Sequence, residues 1–153
     1  MGNDEDSLAL LRWQLAGAER RAQSWTYWTF KGFDDITTAN AHTETLFYAN
    51  GTRQLEKMRV LARPYARKVA GSTSVPAAFD DATGNFALDF VTDSSLANCT
   101  TELSLPNMVF PNGFDWQVTP AELVTTLTHR GLLLLNTENA PHGTQVSVRV
   151  TPK

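Results

Sequence analysis

The sequence predicts an α+β chain: the last helix–strand–helix of a (β/α)8 barrel over residues 1–65, then an antiparallel β-sandwich over residues 66–153. Three observations predict it. An apolar-periodic stretch runs into an aromatic one, Ser24-Trp25-Thr26-Tyr27-Trp28-Thr29-Phe30. That run then breaks into an acidic, threonine-rich loop, Phe33-Asp34-Asp35-Ile36-Thr37-Thr38. A buried strand that follows a helix and ends in a polar loop is how a (β/α) barrel presents its active-site rim. Beyond Tyr65 the texture changes to short β-like runs between turn residues, the pattern of a sandwich. One such unit makes no barrel, so the chain is expected to start late in its own fold.

Residues 6–23 predict the first helix. Leu8, Leu11, Leu15, Ala18 and Ala22 recur at three- and four-residue spacing and form one apolar face. Asp4, Asp6 and Ser7 are candidate caps, and acids in the first turn suit the helix dipole. Residues 24–30 predict a strand, since Thr, Tyr, Trp and Phe fit a pleated surface and no Pro or Gly interrupts them. Asn50-Gly51 marks a turn. Residues 52–62 predict a second helix, with Leu55, Met58 and Leu61 on one face and Pro64 just past its end.

The sandwich is read from a series of runs. Phe79 and residues 85–92, 100–105, 114–119, 131–137 and 144–151 are β-like, several of them introduced by Thr-Gly, Asn-Gly or His-Gly turns. The last run, Gln145-Val146-Ser147-Val148-Arg149-Val150, alternates cleanly. Residues 122–129 fit helix or strand. Strand alternation assigns Phe86, Leu88, Phe90, Leu103, Leu105, Phe114, Trp116 and Val148 to the core.

Composition narrows the function classes. The chain has 153 residues, 42% hydrophobic and 19% charged, enough apolar content to fold. A net charge of −3 leaves no electrostatic footprint for nucleic acid. Arg63, Arg67 and Lys68 read as a solvated basic surface. Cys99 stands alone, so no intrachain disulfide forms, and it has no base partner to make it a nucleophile. His42, His129 and His142 share no ligand spacing, so neither a metal site nor a cofactor is expected. The longest aliphatic run, residues 132–135, is too short to span a bilayer. The acidic opening is no signal peptide. Asn50-Gly51-Thr52 and Asn98-Cys99-Thr100 match the glycosylation acceptor pattern and hint at a secreted parent.

Three separated pieces carry a family resemblance. The first is residues 24–31, continuing through Asp35-Ile36-Thr37-Thr38. The second is Leu61-Ala62-Arg63-Pro64-Tyr65-Ala66-Arg67-Lys68-Val69-Ala70-Gly71. The third is Phe79-Asp80-Asp81-Ala82-Thr83-Gly84-Asn85-Phe86 with Thr101-Glu102-Leu103-Ser104-Leu105-Pro106 and Phe110-Pro111-Asn112-Gly113-Phe114. Together they resemble the C-terminal part of an endoglycoceramidase of glycoside hydrolase family 5. In order, the pieces look like the last barrel strand, the passage into the accessory domain, and the turns of its β-sandwich.

The resemblance implies a retaining glycosidase that cleaves the oligosaccharide–ceramide bond of glycosphingolipids. Its parent would be secreted, lysosomal or membrane-associated, with peripheral membrane contact. Retention needs two carboxyl groups about 5–5.5 Å apart. In the family both are glutamates on earlier barrel strands, and neither motif appears here, so no catalytic residue is assigned and the chain alone is expected to be inactive. The remaining acids are poor substitutes. Asp34 and Asp35 point to opposite faces of an extended segment, Glu44 reads as a solvated rim acid, and Asp4, Glu5 and Asp6 belong to a helix start. Trp28 is the candidate for substrate contact, because the family places a Trp there under the sugar; it reads equally as a core ring. A flat apolar ring complements the C–H face of a pyranose. Lys31, just beyond, is in reach of a sugar hydroxyl or simply solvated. The other expected role is non-catalytic: a sandwich that braces the barrel or binds a carbohydrate or lipid surface.

Overall fold

The computed structural model describes residues 4–32, 44–73, 77–96, 98–129 and 131–153. Asp34, Asp35 and His42 lie outside the described residues. The chain divides into two compact units, Met1–Ala62 and Arg63–Lys153.

In the first unit α1 spans Glu5–Glu19. Asp4 caps it by accepting from the Ser7 N–H at 2.9 Å and the Ser7 hydroxyl at 2.9 Å. These bonds hold the Asp4 carboxyl below the usual carboxylate range. The helix stops four residues short of the expected end, where Ala22 takes a positive φ of 50° that a helix does not admit. α2 spans Leu55–Leu61. Leu8, Leu11 and Leu15 of α1 bury against Val60 of α2, with Tyr27 and Leu61 packed around them.

Residues 24–30 form no regular strand, a correction to the sequence expectation. Their composition suits a sheet, but a ladder needs a neighbour to pair with. Only two backbone bonds tie the segment down among the described residues: Thr29 N–H to Glu44 C=O at 3.2 Å and Leu46 N–H to Phe30 C=O at 3.2 Å.

The second unit is the antiparallel sandwich. Its strands are β1 (Tyr65–Lys68), β2 (Gly71–Ser72), β3 (Ala78–Phe79), β4 (Phe86–Thr92), β5 (Thr100–Ser104), β6 (Phe114–Thr119), β7 (Thr125–His129), β8 (Leu132–Asn136) and β9 (Gln145–Pro152). The ambiguous 122–129 stretch resolves into a 3-10 turn, Ala121–Leu123, and β7. One sheet has the order β1-β5-β8-β7; the other has β2-β4-β9-β6, with β3 also on β4.

The alternation in β4 and β9 sets the core. Phe86, Leu88 and Phe90 pair with Val150, Val148 and Val146, and all six are buried. From the opposite sheet Leu103, Leu133 and Leu135 meet them at 0% exposure. The buried polar groups in this core are satisfied: the Thr101 hydroxyl accepts the Ala70 N–H at 2.9 Å.

Two expectations fail here. Arg63 is no solvated cation: it is 5% exposed, with its guanidinium 4.7 Å over the Phe79 ring and 3.4 Å from Asp81. Trp116 is not buried but 38% exposed. It sits on β6, the edge strand of its sheet, where only one neighbour strand pairs with it.

Candidate functional site

The first unit contains a half-open hollow of about 260 Å³. It is lined by Leu11, Gln14 and Leu15 of α1, Leu61 of α2, the aromatic segment 25–28 and Glu44.

Local structure explains the place of the aromatic segment. Residues 44–54 fold back as a hairpin. Tyr48 N–H donates to Thr52 C=O at 2.8 Å, Gln54 N–H to Leu46 C=O at 2.9 Å, and Phe47 bridges Arg53. The hairpin base holds the Thr29–Phe30 backbone through the two bonds described above. The Phe30 ring meets Phe47 edge-on at 5.3 Å. Trp28 lines the hollow next to this tied backbone and is 63% exposed. The side chain of Lys31 is also exposed.

Beneath the hairpin lies a buried polar group. Lys57 is fully buried and its Nζ donates to the Thr45 C=O at 3.2 Å. Gln54 Nε2 donates to the Phe47 C=O at 3.3 Å. Burial pushes the Lys57 ammonium below its ordinary pKa. Burial also raises the Tyr27 phenol, and the charge of Glu44 adds to the rise. The Tyr27 hydroxyl has no hydrogen-bond partner among the described residues.

Chemically, the hollow offers two exposed indoles, Trp25 and Trp28, with an amide, a hydroxyl, a phenol and one carboxylate. Glu44 is the only acid among its described lining residues, whereas retention requires a pair of carboxyls. Among the described residues no group of three His, Cys, Asp or Glu is placed to hold a metal ion. Gln14 and Tyr27 were missed as lining residues. Gln14 stands beside the apolar stripe and carries no motif, whereas Tyr27 was identified only as a strand residue. Glu44 was identified as a rim acid, and it is half-buried rather than solvated.

In the second unit Cys99 is a free, half-buried thiol. Asn50 and Asn98 are both exposed. Trp116 donates its indole N–H to the Thr126 hydroxyl at 3.3 Å, linking β6 to β7. Its ring meets Phe114 edge-on at 5.9 Å. On the outer face of the β8–β7 pair, Leu127 lies opposite Leu134 and is 62% exposed. Leu132 and Leu134 are half-exposed beside it, because Leu133 and Leu135 take the inner face.

Residues 63–150 match the model of the glycoside hydrolase family 5 C-terminal domain. No curated protein matches the chain by sequence. Among solved structures it is similar to endo-glycoceramidase II from Rhodococcus sp., captured as a lactosyl-enzyme intermediate. Identity is 19% and the TM-score 0.68, covering 96% of this chain and 30% of that one. The same protein in complex with ganglioside GM3 gives 19% identity and a TM-score of 0.68, covering 95% of this chain and 28% of that one. Sterylglucosidase 1 of Cryptococcus neoformans gives 12% identity and a TM-score of 0.71, covering 97% of this chain and 24% of that one. At these identities the likeness is one of fold. The chain spans less than a third of each of these structures.

Proposed function

The chain belongs to the glycoside hydrolase family 5 C-terminal domain family, and from that premise we propose that it is the C-terminal portion of a longer endoglycoceramidase-like hydrolase of glycosphingolipids. The observation that carries this reading is the family match across the sandwich. The similar solved structures include an endo-glycoceramidase II, once in complex with ganglioside GM3, and a sterylglucosidase. The parent would supply both catalytic carboxylates from polypeptide outside this sequence, one as acid/base and one as nucleophile.

In this reading residues 1–65 complete the barrel and Trp28 is its contribution to the substrate pocket. An exposed, backbone-fixed indole stacks on a pyranose without costly reorganisation. Lys31 follows as a donor to a sugar hydroxyl. The parent acts at a glycolipid surface, in a secreted, lysosomal or membrane-associated setting. The test is direct: the purified chain, incubated with a ganglioside, releases no oligosaccharide. Measurable turnover would contradict the assignment of both carboxylates to the rest of the parent.

A second role draws on the outer face of the β8–β7 pair. Exposed Leu127 with half-exposed Leu132 and Leu134, and exposed Tyr65 in the Leu132 row across Ser104, offer a small apolar surface suited to a lipid interface. Co-sedimentation with liposomes that is lost in Leu127→Asp supports membrane contact. No sedimentation, with or without glycolipid, leaves the sandwich as a brace.

A further inference from the structure

We infer that Asn50 is a site of N-linked glycosylation and that Asn98, in an equally good acceptor triplet, is not. The inference rests on the proposed secretory route of the parent; the choice between the two asparagines rests on geometry.

Asn50 stands at the tip of the 44–54 hairpin, where every residue from Tyr48 to Arg53 is exposed. Its Oδ1 accepts the Thr52 N–H at 3.0 Å and the Thr52 hydroxyl at 2.7 Å. Both bonds use the oxygen, so Nδ2, the atom that takes the sugar, is left clear. The acceptor hydroxyl is already turned onto the asparagine side chain. Gly51 holds the turn at φ 80°, a conformation that favours glycine, and nothing lies within 4 Å of where its Cβ would be. The whole tip from Tyr48 to Arg53 is exposed, so a solvated glycan on Asn50 would stand at the surface.

The second triplet is built differently. Asn98 is exposed, but Cys99 is tied back by its N–H to the Leu96 C=O at 2.8 Å. Thr100 is already the first residue of β5, paired with Asn136. Its backbone is held in the sheet, and among the described residues no side-chain bond links Thr100 to Asn98 like the Thr52–Asn50 bonds. Presenting this triplet as a turn would break the end of a central strand.

The transfer balances without any redox change. Nδ2 of Asn50 attacks the anomeric carbon of an oligosaccharide carried on a polyprenyl pyrophosphate. A C–N bond forms, and the C–O bond to phosphate breaks with its electron pair leaving on the pyrophosphate. One amide proton passes to a base of the transferring enzyme.

The experiment is to express the full chain behind a secretion leader in a eukaryotic host. Lumenal delivery is verified by protease protection, and cell-associated and secreted chains are both scored for a mobility shift removed by a peptide N-glycosidase. One shifted species is expected. It is abolished completely in Asn50→Gln and in Thr52→Ala and kept in Asn98→Gln, and mass mapping places the sugar on Asn50. A delivered chain with no shift, or one whose shift disappears in Asn98→Gln, overturns the inference. Should leader-directed chain be glycosylated while the native parent is bare at Asn50, the secretory reading fails and the site assignment stands.

Discussion

The two units of this chain spend their apolar residues in opposite ways. In the sandwich the inward-facing apolar side chains of β4, β5, β8 and β9 reach 0–2% exposure, from Phe86 and Leu103 to Leu133 and Val148. In the first unit Leu8, Leu11, Leu15 and Val60 are buried, while Trp13, Trp28 and Phe30 stay more than 60% exposed. A large apolar side chain contributes about 1.5–3 kcal/mol only once it leaves water. The sandwich has therefore collected that energy within residues 63–153. The first unit has a small buried core and several exposed aromatics. The contrast is the one the proposed longer parent would leave between a whole sandwich and part of a barrel.

The contrast breaks most visibly at the sandwich centre. Leu103→Ala removes a side chain at 0% exposure and costs about 2–5 kcal/mol. Trp28→Ala, in the other unit, changes chain stability by about 0.5 kcal/mol or less. Urea denaturation of both variants measures the gap. Equal losses would mean that the first unit is as tightly packed as the second.

Glycines sharpen the comparison at the next level. A Cβ on Gly71 would stand 2.1 Å from the Val91 carbonyl oxygen, so Gly71→Ala must push β2 off β4. The expected cost is about 1–3 kcal/mol, read as a fall in thermal midpoint.

The smallest effect is electrostatic. Asp89 takes two bonds from Arg149, at 2.9 and 3.0 Å, and these hold its carboxyl below the usual carboxylate range. A carboxylate with a lowered folded pKa adds stability above its unfolded pKa and loses it as pH falls through the folded one. Both side chains are more than a third exposed, so solvent screens the pair to about 0.5–1 kcal/mol. Asp89→Asn should cost that much at neutral pH and nothing once the wild-type carboxyl is protonated, as pH-dependent denaturation would show.

Much of the sandwich was legible because its strands repeat with a period of two and end in glycine turns. Gln145 to Val150 needed nothing else. β1 and β2 were missed: Tyr-Ala-Arg-Lys places only Ala66 on the inner face, and its register slips between Ala66 and Lys68. The signal available was Tyr65 directly after Pro64. Trp116 was misplaced because alternation gives the face of a residue and not whether a further strand covers it. The aromatic run 24–30 shows the same limit more sharply, since its composition is that of a strand while strand formation depends on partners. The hollow was half legible. The sequence marks Trp28 as a candidate contact and reads Glu44 only as a solvated rim acid, whereas Gln14 acquires its place only from how α1 sits.

The central claim is that the sandwich is self-sufficient and the first unit is not. Residues 63–153 and residues 1–62, expressed separately, can be unfolded in urea and followed by tryptophan fluorescence and circular dichroism. The account predicts one cooperative transition for residues 63–153, worth about 5–10 kcal/mol. It predicts no cooperative transition for residues 1–62. A cooperative transition of similar size in residues 1–62 would contradict it.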